Sequence, residues 1–225
     1  MSTIKTLLKR TFLYDIVKPV RQRKEEYKIR ARQEAEIREW ESLGKPLPPP
    51  HIVKQRTLEQ YAKKFSLHTL IETGTYQGDM VEAMKDAFNK IFSIELESEL
   101  YERAKKRFNS NDHISIIHGD SGEVLSDVLA EVDEPCLFWL DGHYSAGITA
   151  KGEADTPINE ELNHILNHPV VGHVILIDDA RLFVGQNQYP RIDELKDTIL
   201  KRHPDWILEA EHDIIRIHRV PTERT

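Results

Sequence analysis

The sequence predicts an α/β fold: a Rossmann-like, doubly wound, mostly parallel sheet of seven strands that ends in an antiparallel C-terminal hairpin strand, with a helical extension ahead of it. Three observations predict it. Short apolar, β-branched runs alternate with stretches of helical period from about residue 51 onward. Each of the first five runs is followed by enough chain for a crossover helix, as parallel strands require. Only "EHD" separates the last two runs, too little for a crossover, so those two pair as a hairpin at one edge.

The expected strands are "TLIETG" (69–74), "IFSIEL" (91–96), "ISIIHGD" (114–120), "CLFWLDG" (136–142) and "HVILIDD" (173–179), then the weaker "WILEA" (206–210) and "IIRIH" (214–218). The central runs are apolar without alternation, the mark of strands covered on both faces. Helical stretches fall at about 77–89, 98–108, 121–131, 157–168 and 190–202. Residues 51–225 are thus read as one domain, and residues 1–50 as a separate extension. In the extension Ile4, Leu7, Leu8, Phe12, Ile16, Val17 and Val20 recur at helical spacing, and Pro19 interrupts them. A charged helix follows over about 21–41, and "GKPLPPP" (Gly44–Pro50) reads as an extended linker. The apolar stripe implies docking onto protein, either this chain or a second copy in a homo-oligomer, or a peripheral membrane contact.

Charge and composition narrow the partners. Residues 1–33 carry ten Lys and Arg against three acids, whereas the whole chain has a net charge of −7. The main domain is therefore acidic and lacks the basic stripe that nucleic acid demands, so no nucleic-acid partner is expected. No apolar run reaches a membrane-spanning length, and the N-terminus lacks the apolar core of a secretory signal. The single cysteine, Cys136, fits a reducing, cytoplasmic location.

In doubly wound sheets ligands sit at the carboxyl ends of the strands. There the first expected strand ends in "ETGTYQG", with Glu72, Gly74, Thr75 and Gly78. A glycine at this position lets the backbone turn tightly and approach a ligand. The pattern is not the dinucleotide fingerprint, and Glu72 is ill placed for a pyrophosphate; a cofactor carrying an amino or cationic group suits it better. The second strand ends at Glu95, an acid suited to ribose hydroxyls. The third ends in "HGDS", where Asp120 and Ser121 are suited to an adenine amino group, or simply to capping the next helix.

This ordered set, "ETGTxxG", the acid after strand two, "GDS" after strand three and "LDG" after strand four, resembles class I S-adenosylmethionine-dependent methyltransferases over about residues 65–220. The resemblance implies that the Gly74–Gly78 turn cradles the methionine part of the cofactor, Glu95 the ribose and Asp120–Ser121 the adenine.

Strands four and five then deliver Asp141, Asp178 and Asp179 to one edge, where bare carboxylates repel and a hard divalent cation such as Mg²⁺ relieves the repulsion. The trio resembles the metal-dependent O-methyltransferases, both the catechol type and the macrocin-type sugar-modifying branch, with "LDGHYS" and "LIDDA" closest to the latter. That resemblance implies Mg²⁺ on Asp141, Asp178 and Asp179 and a sugar or polyhydroxyl acceptor, as in polysaccharide assembly. Catechol-type enzymes place a lysine near the metal as base; here His143, two residues beyond Asp141, is the candidate instead. A catechol-like acceptor and a non-catalytic, cofactor-binding scaffold are the alternatives. The loop 144–161 is expected to cover the substrate, with Arg181, Phe183 and Tyr189 on the opposite wall, and the other histidines and Cys136 are expected to be structural.

Overall fold

The computed structural model describes residues 27–142 and 156–220. The chain divides into two compact units at Ile52/Val53. In the first, residues 27–42 form helix α1, and the Trp40 indole N–H donates to the Pro46 carbonyl at 2.8 Å, tying the helix end to the proline segment behind it. The apolar stripe of residues 4–20 lies outside the described residues. Among the described residues no helix is long and apolar enough to cross a membrane.

The second unit begins within helix α2 (His51–Phe65), followed by β1 (Thr69–Thr73), α3 (Asp79–Met84), β2 (Lys90–Glu95), α4 (Ser98–Arg107), β3 (Ile114–His118) and α5 (Ser121–Ala130). Then come β4 (Cys136–Leu140), α6 (Ile158–Leu166), β5 (Val174–Ile177), a 3₁₀ turn (Ala180–Leu182), α7 (Ile192–Arg202), β6 (Trp206–Glu211) and β7 (Ile214–Arg219). The seven strands lie in the order β3-β2-β1-β4-β5-β7-β6. β1 to β5 are parallel, and β7 is antiparallel to both β5 and β6. All seven expected strands are present. The hairpin turn is His212–Asp213, both at positive φ (51° and 63°), the conformation that matches the twist of a tight hairpin.

Burial follows from the two-sided core. Ile71, Phe92, Ile94, Phe138, Leu140, Ile175 and Ile177 pack on one face with Leu125, Leu162 and Ile199 of α5, α6 and α7. Leu70, Ile91, Leu137, Trp139 and Leu176 pack on the other with Leu58 and Tyr61 of α2 and Val81 and Met84 of α3. Phe138 and Trp139 are thus core residues, and Cys136 is buried in β4 with its thiol pushed up to about 12 by burial. His173 is buried too, accepting the Cys136 N–H at 3.0 Å and facing His168. These groups brace the sheet's far end, as expected of structural side chains.

Two elements depart from expectation. Helix α3 is only six residues long, because the chain turns at Lys85–Phe88 to bury Phe88. Helix α2 was not among the expected elements, although Val53, Leu58, Tyr61 and Ala62 stand at helical spacing and are buried. Its first turn carries Lys54, which matters below.

Candidate functional site

The strand register builds the site. Thr73 pairs with Ile94 on one side and with Leu140 on the other, and Leu140 pairs with Ile177. The residues one step further on, Gly74, Glu95, Asp141 and Asp178, therefore leave the sheet along a single edge, at the point where the strand order reverses between β1 and β4.

Gly74 is required where it stands. Its φ is +84°, and a Cβ there would lie 2.6 Å from the Asp141 carbonyl oxygen. Backbone bonds from Gly74 N to Ile94 O (2.9 Å) and from Asp141 N to Thr73 O (3.1 Å) hold three strand exits together. The Glu95 carboxylate lies beneath the turn, accepting the N–H of Tyr76 at 2.7 Å and that of Glu97 at 2.9 Å. Burial raises its pKa while these N–H groups oppose the rise. Each oxygen accepts one of these bonds and has a second lone pair for a ligand hydroxyl.

Glu72 takes a different position from the one its sequence context suggests. It is buried, bonded to the Ser93 hydroxyl, which in turn meets Thr75 Oγ1 at 2.6 Å. Burial pushes its carboxyl up to about 8, so its negative charge is suppressed near neutrality. Glu72 braces the turn from within through Ser93 and Thr75. Asp120 caps α5, its Oδ1 accepting Gly122 N–H at 2.9 Å. Ser121 donates its hydroxyl to Glu161 Oε1 at 2.5 Å.

Glu161, on α6, is a site residue that no local motif announces. It is 1% exposed, and burial pushes its carboxyl up to about 7 against the hydrogen bond from Ser121. A Cβ on Gly142 would meet Glu161 Oε1 and Thr73 Oγ1 at 3.2 Å each and Ser121 Oγ at 3.4 Å. Three polar side chains from three elements thus converge on the glycine after Asp141. They adjoin a small polar cleft lined by Leu140, Asp141, Gly142, Glu161, Ile177, Asp178 and Tyr189. Tyr189 stands on the expected wall, edge-on to buried Phe183 with ring centres 5.1 Å apart.

At the β4–β5 end of the cleft Asp141 and Asp178 leave adjacent strands side by side. Asp178 is 4% exposed, and its Oδ1 accepts the N–H of Asp179 at 2.9 Å. Its Oδ2 is bonded to the Lys54 ammonium, which also stands 4.0 Å from Asp179 Oδ1. Burial, then the charge of Asp141, raises Asp178 above the usual carboxylate range, and Lys54 pulls it back. Burial by itself would lower the Lys54 pKa, but Asp178, Asp141 and Asp179 outweigh it and raise the pKa above the ordinary lysine value.

Asp179 has a left-handed backbone (φ 56°, ψ 45°), tolerable for aspartate, and its Oδ1 accepts from Arg181 at 2.8 Å. The Arg181 guanidinium also bonds Asp213, whose backbone carbonyl accepts Ala180 N–H and whose carboxylate accepts Arg181 N–H, both at 2.8 Å. The β6–β7 turn thereby clamps the backbone that presents the acidic pair. Among the described residues no group of three or more His, Cys, Asp and Glu side chains is arranged to hold a metal ion. The Lys54 ammonium pairs with Asp178 and stands near Asp179, whose Oδ1 is also held by Arg181. His143 and most of the expected cover loop lie outside the described residues.

No protein-family model matches this sequence, and no curated protein does. Solved structures do. The chain is similar to an O-methyltransferase from Bacillus cereus in complex with SAH, with TM-score 0.56 and 13% identity over 84% of this chain and 90% of that one. It is similar to the O-methyltransferase TomG from Streptomyces achromogenes, involved in tomaymycin synthesis and in complex with SAM, with TM-score 0.56 and 15% identity over 84% and 89%. The SAH-bound Podospora anserina methyltransferase PaMTH1 gives TM-score 0.55 and 13% identity over 88% and 96%. At such identities the likeness speaks for architecture, and together with the strand order it shows that this chain has the Rossmann-like class I methyltransferase fold.

Proposed function

We propose that this protein is an S-adenosylmethionine-dependent O-methyltransferase acting on a sugar or other polyhydroxyl acceptor, assisted by a divalent cation, Mg²⁺ by preference. One observation carries the reading. The glycine turn with Glu95 beneath it opens, along the same strand edge, beside a cleft walled by Asp141, Glu161 and Asp178. A cofactor seated on the turn and an acceptor seated in the cleft would be neighbours. The solved O-methyltransferases with SAM or SAH bound support the choice of cofactor and reaction class.

In this reading Gly74, Thr75 and Gly78 give the methionine part a close backbone approach. Glu95 accepts ribose hydroxyls, and Asp120 and Ser121 border the adenine. Glu72 stiffens the turn from below through Ser93 and Thr75. The sulfonium supplies an electrophilic methyl group; the protein's task is to align an acceptor oxygen and remove its proton. Asp141 presents an acceptor to a polyol hydroxyl, and Glu161, whose carboxyl burial raises to about 7, adds a hydrogen-bonding group to the same cleft. His143 is the proposed base, with a pKa range suited to the task near neutrality. Asp141, Asp178 and Asp179 are hard oxygen donors of the kind Mg²⁺ takes, and in this structure Lys54 holds Asp178 and Arg181 holds Asp179. A divalent ion held there would make a ligating hydroxyl more acidic.

The test is transfer of labelled methyl from S-adenosylmethionine to parallel panels of sugars and catechols, with calorimetry of S-adenosylhomocysteine binding. Label on a sugar supports the reading. Label on catechols alone moves the acceptor to phenols. Absence of both binding and transfer would discard the methyltransferase reading.

A further inference from the structure

A buried acid adjoins the glycine turn from the side of the cleft. Gly74 lies against the Asp141–Gly142 peptide: a Cβ on Gly74 would stand 2.6 Å from the Asp141 carbonyl oxygen and 3.3 Å from Gly142 N. A Cβ on Gly142 would in turn stand 3.2 Å from Glu161 Oε1. Glu161 thus reaches the strand exit that borders the turn, and it also lines the cleft. The Ser121 hydroxyl fixes its place by donating to Oε1 at 2.5 Å. The Thr73 hydroxyl is buried at the same point and completes no hydrogen bond of good geometry, although it lies close enough to favour the ionised form of Glu161. An open, buried polar atom beside a buried acid suits a polar ligand group. The charged and titratable groups around Glu161 are Asp120 at the head of α5, Glu160 on its own helix, and Asp141, Asp178 and Tyr189, which line the cleft with it. None of these is a cation. His164, one turn further along α6, is bonded to the Gly122 carbonyl at 2.9 Å, and Lys54 is held by Asp178.

We propose that Glu161 is the counter-charge for the cofactor's sulfonium, the residue by which this protein tells the methyl donor from the demethylated product. The inference rests on the cofactor part of the proposed function. The residues fit such a group: two glycines leave the space that Cβ atoms would fill, and the acid behind them has no cation among the groups named above. Glu161 attracts the positive sulfur of the donor. Once the methyl group has passed to the acceptor oxygen and the carbon–sulfur bonding pair stays on sulfur, Glu161 faces a neutral thioether and the attraction is gone. The product is then held only by contacts that both forms share, which favours its release. An opposite charge within about 4–6 Å favours the ionised form of a carboxyl by about one to three pKa units, so by linkage the donor gains roughly tenfold or more in affinity over the product.

The experiment is calorimetry on the full chain without acceptor, using three probes. These are S-adenosylmethionine, S-adenosylhomocysteine, which lacks the sulfonium charge, and sinefungin, in which a carbon bearing an ammonium group replaces the methylated sulfur. All three share the adenosine and the amino-acid end, so their affinity ratios isolate the charge at the reacting centre. The wild type should bind S-adenosylmethionine and sinefungin roughly tenfold or more tightly than S-adenosylhomocysteine. E161Q keeps the size of the side chain and its hydrogen bonding. It should leave S-adenosylhomocysteine affinity nearly unchanged and lose the preference for the two cations, while E161D should keep part of it. Equal affinity of the wild type for all three probes would overturn the proposal, however the variants behave. So would an E161Q variant that keeps the preference, or a uniform loss of all three probes in both E161Q and E161D. Absence of binding of every probe to the wild type would overturn it together with the methyltransferase reading.

Discussion

The two halves of the strand edge are built on different principles. On the β1–β3 side the acids are satisfied nearby: Glu95 by two backbone N–H groups, Asp120 by the helix it caps, Glu72 by Ser93 on the adjacent strand. On the β4–β5 side charges meet from far apart in the chain. Lys54 and Asp178 are 124 residues apart, Arg181 and Asp213 are 32 apart, and Glu161 and Ser121 are 40 apart. The first side is a rigid, locally specified cradle. The second is a charged assembly that exists only when the whole sheet is closed, and it is the side with the cleft. Such a division suits a fixed cofactor facing a variable acceptor.

The largest expected effect lies on the charged side. D141A should lower the methyl-transfer rate by roughly 10²-fold or more, the scale of misplacing the acceptor oxygen, and leave S-adenosylhomocysteine affinity nearly unchanged. Rates and calorimetry on the same preparation check it; a matching loss of cofactor binding would erase the division between the two sides.

G74V tests the cradle. The new side chain would start 2.6 Å from the Asp141 carbonyl oxygen, at a φ that β-branched residues avoid. The expected cost is on the order of 3 kcal/mol or more in thermal or urea unfolding, beyond the strain of the backbone alone. G172A is the reference, since its Cβ would meet only Pro135 at 3.5 Å. Equal losses in the two would show that the contact between strand exits contributes nothing special.

The buried acids give a pH signature. Glu72 and Glu161 have folded pKa values raised to about 8 and about 7 from 4.5. The folded state therefore binds their protons more tightly than the unfolded chain does. This stability is fully present below about pH 4.5 and is lost as pH rises through 7 to 8. E161Q should flatten the decline by on the order of 2–3 kcal/mol across that window. Urea midpoints measured from pH 5 to 8 check it, and an unchanged slope would mean that Glu161 is ionised within the fold.

The smallest effect is expected at Glu95. E95A should weaken cofactor binding by about 1–3 kcal/mol, the range for hydrogen bonds to a charged group, with the acceptor-side rate at saturating cofactor little altered. Calorimetry and saturation kinetics check it. A loss confined to the rate would place Glu95 on the other side of the comparison.

How legible the site was follows the same division. Gly74, Glu95 and Asp120–Ser121 stand out because each sits at the end of an apolar run, and position after a strand is a sequence property. Asp141, Asp178 and Asp179 stand out for the same reason. Lys54 does not: a lysine on an amphipathic helix looks like solvated charge, and only the docking of α2 turns it toward Asp178. Glu161 is equally hidden, since an acid in the first turn of a helix ordinarily faces water and favours the helix dipole. The burial of Glu72 is not legible either, because the desolvation of a residue inside a strand cannot be read from its neighbours in the chain.

By itself the sequence determined the alternation of strands and helices, the parallel run of five and the final hairpin, because hydrophobic period and connection length are local quantities. It determined as well which residues arrive at the strand ends. Tertiary structure alone decided which of those residues are paired, buried or neutralised: Lys54 among the aspartates, Asp213 beneath Arg181, Glu161 against Ser121. Electrostatics acts through space and depends on burial, so its outcome at this edge follows from the closed sheet and its docked helices rather than from any one segment.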